Sequence, residues 1–204
     1  MQSTVSPAYG TTRLGRHALW RIAEAALYVG IATAVFLTAV WFVSPSSSEG
    51  GSYHDVADYL FTGNGVPFGT APLVLLWALL ALHGERVSRK ATIGVMIASV
   101  SLVALIGVLA ASVAAGEDVQ LGPTYVLGTL GSIIGIWLFC MSAARAGLLP
   151  SGALLFWAFA WTVGGMLGPQ GSQLLLAVAY SVLLVHVRKR ARGGSEPLTA
   201  ATPT

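Results

Sequence analysis

Six apolar runs, at residues 22–43, 68–84, 91–115, 124–144, 150–168 and 172–187, constrain this chain more than any other feature. A bilayer core about 30 Å thick needs about 20 apolar residues per helical span. Six transmembrane helices follow. The first four runs have the full length. The fifth and sixth are shorter, separated by Pro169, Gln170, Gly171 and Ser172, so a re-entrant hairpin is the alternative there. Composition agrees with a lipid solvent. Of the 204 residues 55% are hydrophobic and 9% charged, where a soluble domain carries about 25% charged residues.

Orientation follows from the loops. Arg13, Arg16 and Arg21 precede the first helix. Arg86, Arg89 and Lys90 lie between the second and third, Arg145 between the fourth and fifth, and Arg188, Lys189, Arg190 and Arg192 after the sixth. All 11 basic residues therefore share one side of a six-helix chain. The opposite loops carry Glu49, Asp55, Asp58, Glu117 and Asp118. Loops rich in Lys and Arg stay in the cytoplasm, which predicts both termini inside a plasma membrane. The net charge of +3 thus reports topology, and no nucleic-acid partner is implied. The Arg-, Ala- and Gly-rich composition suggests a bacterial source.

The expected organisation is a cytoplasmic segment at 1–21, one six-helix membrane domain at 22–187, and a basic, then disordered, cytoplasmic tail at 188–204. The first run is longer than the roughly 7–15 residues of a signal-peptide core and reads as a retained anchor. The tail "GGSEPLTAATPT" buries too little apolar area to order itself. The fold class is all-α, a polytopic helix bundle.

The stretch "SYHDVADYLFTGNGVPFG", residues 52–69, is the least apolar part of the middle of the chain. Ser52 and Asp55 have the spacing of a capping box, and Gly63 is placed to end a helix. Tyr53, Val56, Ala57 and Leu60 share one face. The pattern predicts a short interfacial helix in the first outer loop, followed by a return to the second span. Two readings of its polar face stay open. One is a capped helix whose polar face is wet. The other is a site, with His54 and Asp58 at i and i+4 as metal ligands and Glu117 and Asp118 completing an oxygen shell. In a membrane enzyme, His54, Asp55 and Asp58 would supply acid and base.

Charge within the spans is nearly absent. Glu24 reads as a surface partner of Arg21 near the start of the first helix. His83 and His186 lie at helix ends. Thr33, Thr38, Ser99, Ser101, Ser132, Thr162, Tyr180 and Ser181 are weaker polar groups, suited to hydrogen bonds between helices. Gly131 and Gly135 form one GxxxG pair, and Gly164 and Gly168 another; such faces admit close helix packing, within the chain or with a partner. Trp20 and Trp41 bracket the first helix as interfacial anchors.

No motif for nucleotide binding, for serine or cysteine hydrolysis, or for zinc or haem ligation occurs, so no cofactor is expected. The favoured reading is a non-enzymatic plasma-membrane protein with a structural, assembly or regulatory role through intramembrane contacts. Its partners would be membrane lipids, a membrane protein or further copies of itself. The alternatives are a small transporter or channel for a neutral or lipid-like substrate, and a membrane enzyme with an outer-surface His/Asp site.

Overall fold

Only helices and closed barrels satisfy every backbone group inside a bilayer, and the apolar runs of this chain form helices. The computed structural model describes residues 13–43, 51–84, 88–119, 123–147, 149–167 and 172–193. They form α1 (Arg13–Val43), α2 (Val56–His83), α3 (Arg89–Ala115), α4 (Thr124–Ala146), α5 (Ser151–Leu167) and α6 (Ser172–Gly193). Helices α1 to α4 are long and apolar enough to cross a membrane. The architecture is that of a multi-pass membrane protein. Helix α5 is shorter; its 17 residues reach about 26 Å at 1.5 Å per residue.

Consecutive helices pack side by side, and α6 packs back against α1, so the six close into a ring. Neighbours run antiparallel. Contacts toward opposite ends of a pair fix this: between α3 and α4, Ser88 meets Ser142 while Leu105 meets Gly128. Between α1 and α6, Glu24 meets Arg188 while Gly30 meets Tyr180. The alternation collects Arg16, Arg21, Arg89, Lys90, Arg145 and the 188–192 run at one end of the ring, the basic end. Asp55, Asp58, Glu117 and Asp118 collect at the other, the acidic end.

Three boundaries differ from the sequence expectation. Helix α1 starts at Arg13, not at residue 22, and α6 continues to Gly193. Basic residues at a helix end keep their charges in solvent while the backbone stays helical. The third difference is larger. No separate interfacial helix ends at Gly63; α2 runs unbroken from Val56 through Gly63 and past Pro67 and Pro72. Tertiary contacts override the weak local propensity here. Asn64 Nδ2 donates to the Thr33 carbonyl of α1 at 3.0 Å. Gly65 and Gly69 lie against Leu109 and Ile106 of α3. Prolines are tolerated where neighbouring helices enclose the backbone they leave unpaired.

The cap also moves. Asp55, not Ser52, is the N-cap of α2, in a reciprocal box with Asp58. Ser52 is engaged elsewhere: it bridges to Glu117 of the loop after α3. Tyr53 N–H donates to Gly116 O at 2.8 Å and Asp118 N–H to Gly51 O at 2.9 Å. The Tyr53 hydroxyl donates to Asp118 Oδ1 at 2.9 Å. These bonds clamp two loops together at the acidic end.

The densest packing joins α3 to α4. A Cβ on Gly135 would stand 2.5 Å from both the Ala98 nitrogen and the Gly94 oxygen, and one on Gly131 would meet Ser101 Oγ. The backbones touch because those side chains are missing. Gly164 faces Leu176 of α6, and Gly168 lies outside the described residues. Trp20, expected at an interface, is buried in the core at 7% exposure.

Candidate functional site

The ring is filled unequally along its axis. Toward the basic end the interior is occupied by Leu27, Leu75, Leu79, Ile136, Phe139, Trp157 and Tyr180, all fully buried. Toward the acidic end a hollow of about 240 Å³ remains. Every helix contributes to its wall: Leu37 from α1, Gly65 and Phe68 from α2, Leu102 and Ile106 from α3, Thr129 and Ser132 from α4, Trp161 and Gly164 from α5, Gln173 and Leu176 from α6.

The sequence makes this hollow by omission. On the wall, α2 presents Gly65 and Gly69 and α5 presents Gly164, where bulkier residues would intrude. About two to three helical turns toward the basic end the same helices carry Leu75 and Leu79, and Trp157, in the packed interior. The floor is fixed by a short polar chain. Trp161 Nε1 donates to Ser132 Oγ at 3.0 Å, and Ser132 Oγ donates to the Thr129 carbonyl at 2.8 Å. The Trp161 ring stacks on Phe68, with centroids 5.6 Å apart and planes 16° from parallel. The rim carries Asp118, Tyr125 and Phe61. Asp118 also belongs to the loop clamp, so clamp and hollow share a residue.

The chemistry of the wall is apolar with scattered neutral donors and acceptors: Thr62, Thr129, Ser132 and Gln173. Asp118 at the rim is the one charged side chain lining it among the described residues. An ion deep in this hollow would find no countercharge and lose its hydration. A neutral molecule loses little and can use one or two hydroxyls for orientation, the usual pattern of a small-molecule pocket. A dry cavity of about 150 Å³ already admits a ligand the size of benzene.

The sequence-derived candidates lie elsewhere. Asp58 Oδ2 accepts from the His54 and Asp55 backbone N–H groups, at 2.7 and 3.3 Å. Its carboxylate thus caps α2. Glu117 and Asp118 do come alongside this loop, but through backbone pairing and the Tyr53 hydroxyl. Among the described residues no three His, Cys, Asp or Glu side chains converge on a point that could hold a metal. Glu24 pairs across helices, not along its own. Arg188 Nε donates to Glu24 Oε1 at 2.7 Å, and Arg188 Nη2 donates to the Tyr28 hydroxyl. Because α1 begins at Arg13, Glu24 faces α6 well inside the helix.

Most in-membrane hydroxyls bond back to their own helix, accept from a neighbouring one or, like Ser132 and Thr162, do both, while the Tyr180 hydroxyl is buried with no partner among the described residues. Thr33, Thr38 and Ser181 bond back to their own helices. Ser99, Ser132 and Thr162 accept indole N–H groups from Trp77, Trp161 and Trp137 of neighbouring helices. Only Ser132 of these also lines the hollow. The hollow itself was hidden from the sequence. A usable signal was present in the glycines on one face of α2, Gly65 and Gly69, four residues apart.

The arrangement defines a class, a closed ring of six helices, four of them long and apolar enough to cross a membrane, with a hollow at one end. No family model matches the chain, and no curated protein or solved structure matches it either.

Proposed function

We propose that this is a plasma-membrane protein of a bacterial cell, with both termini cytoplasmic, that receives a small neutral or lipid-like molecule from the outer side. The observation that carries the reading is the hollow walled by all six helices at the acidic end. The topology rests on the gathering of the basic residues at the other end of the ring, which the positive-inside rule assigns to the cytoplasm. The packed basic half supports a binding pocket with one entrance over an open channel. Onward transfer would require the layer of Trp157, Tyr180 and Phe139 to rearrange.

The assembly reading is weakened by the glycine faces. Gly131 and Gly135 are occupied by α3 and Gly164 by α6, so a membrane-protein partner or a second copy would have to use the lipid-facing surfaces instead. The enzyme reading is weakened by the engagement of Asp58 with the backbone.

The test is retention. Parent and Thr129→Phe proteins are extracted in native lipid discs and the bound small molecules identified by mass spectrometry. Thr129 lines the hollow, so an aromatic ring at this position should fill part of it. The parent should retain a neutral amphiphile in stoichiometric amount, and the variant at least tenfold less, with unchanged thermal stability. Equal retention by both proteins overturns the pocket. A stoichiometric protein partner with no small molecule restores the assembly reading.

A further inference from the structure

A second hollow, of about 290 Å³, lies at the basic end between the start of α3 and the end of α4. Its wall is unlike that of the first. Lys90 and Arg145 supply two cations, Ser88 and Ser142 two hydroxyls, and Leu138 and Met141 an apolar side. Arg145 alone is explained by its place in the last turn of α4, where a cation complements the helix dipole. That does not explain why Lys90 of the neighbouring helix faces the same hollow.

Three features point to a phosphate ligand. Neither Lys90 nor Arg145 has a carboxylate partner among the described residues, which do not include Glu85 of the loop before α3; Glu24, an acid at the same end, is taken by Arg188. Two like charges thus line one hollow, an arrangement that a bound anion stabilises. Next, Ser88 Oγ and Ser142 Oγ lie 2.6 Å apart. Two hydroxyls hold two protons, and one suffices for the bond between them. The other is left to donate outward. Finally, Ser88 stands at the N-cap of α3 but makes no side-chain cap. Its hydroxyl is turned to Ser142 instead of to the helix backbone.

The level and the apolar side indicate the source of the phosphate. The hollow lies at the ends of two membrane-length helices, where headgroups sit. Met141 forms its wall and is also half exposed, and Ile134, two turns deeper on α4, is exposed as well. A headgroup in the hollow would have its acyl chains running down this surface.

We propose that Ser88, Lys90, Ser142 and Arg145 form a binding site for the phosphate of an anionic phospholipid. Arg145 can engage two phosphate oxygens through its planar fork, Lys90 acts as a point charge, and the serine pair donates one hydroxyl. The site is distinct from the hollow at the acidic end and does not depend on what that one binds.

The test uses the full chain in lipid discs of zwitterionic phospholipid doped with phosphatidylglycerol, with bound lipid counted by native mass spectrometry. The parent should retain phosphatidylglycerol in preference to the zwitterionic lipid. The double variant Lys90→Gln/Arg145→Gln should lose that preference by roughly thirtyfold, at about one charge's worth of membrane attraction per residue. Arg16→Gln/Arg21→Gln, which removes two cations from the same end that do not line the hollow, should lose clearly less of it. No preference in the parent, or an equal loss in both double variants, overturns the site. Inorganic phosphate alone is the second arm. If it protects the parent against thermal unfolding as well as phosphatidylglycerol does, the lipid source is overturned.

Discussion

The two halves of the ring are built from the same six helices but solve packing differently. In the basic half large side chains meet at the axis; Trp157, Phe139 and Tyr180 are fully buried there. In the acidic half glycines and hydroxyl residues line the axis, and a space remains. Lipid tails are as apolar as leucine, so helices in a bilayer gain little from hiding apolar surface and much from tight contact. A hollow therefore forfeits contact energy that the packed half collects. The basic half holds the ring together, and the acidic half has the freedom to accommodate a guest.

Two tryptophans one turn apart on α5 turn this contrast into a measurement. Trp157 is enclosed on all sides, and its Nε1 has no hydrogen-bond partner among the described residues. Trp161 bonds Ser132, stacks on Phe68 and borders the hollow. Trp→Ala in a close-packed core costs about 3–5 kcal/mol. In a bilayer the transfer part of that cost shrinks, so Trp157→Ala should cost about 3 kcal/mol. Trp161→Ala should cost about 1–2 kcal/mol, the sum of a stacking contact and one interhelical hydrogen bond. Unfolding by denaturing detergent gives both values. If Trp161→Ala costs as much as Trp157→Ala, the acidic half is as tightly packed as the basic half and the contrast is broken.

How much of this was written in the sequence follows from the physics of each element. Six helices were legible because polar or glycine- and proline-containing breaks separate six apolar runs, four of which have the length that a bilayer imposes. The gathering of charge at one end was legible because alternation of spans fixes it. The continuity of α2 through Gly63 and Pro67 was not, since local signals there favour a stop. Asn64 reaching α1, and α3 closing on Gly65 and Gly69, outweigh them. The Ser52 cap was misplaced for a similar reason: a bridge to Glu117, distant in sequence, occupies that backbone. His54 and Asp58 carry ligand chemistry by type, but a capping carboxylate and a metal-binding one look the same in a string of letters.

The interface of α3 and α4 sharpens the contrast at a finer scale. Gly135→Ala places a methyl group against backbone on both sides, and backbone cannot swing away. Overpacking of this kind costs about 1–3 kcal/mol. Gly107→Ala on α3, with nothing within 4 Å of its Cβ position, should stay within about 1 kcal/mol of the parent. Equal melting temperatures for the two variants would mean that the helices can separate freely, and that tight packing is not what distinguishes this half of the ring.

The smallest effect concerns the clamp that borders the hollow. Burial pushes the Tyr53 hydroxyl above its ordinary value of 10.0; Thr62 pulls it down, and the Asp118 carboxylate, which accepts its proton, pushes it up again. A phenol that holds its proton more tightly when folded stabilises the fold while protonated. Its contribution is complete below about pH 10 and is lost as the pH rises through the folded value. Above that point a tyrosinate would face the Asp118 carboxylate, and the two loops would repel. Melting curves of parent and Tyr53→Phe across the alkaline range isolate this residue from the other tyrosines. The parent should lose stability more steeply above about pH 10, whereas the variant, already lacking the bond to Asp118, should start slightly lower and stay flatter. Parallel curves would mean that Tyr53 loses its proton without disturbing the loops. The rim of the hollow would then be held by the backbone pairing of Tyr53 with Gly116 and of Gly51 with Asp118 alone, and entry to the acidic half would not depend on pH.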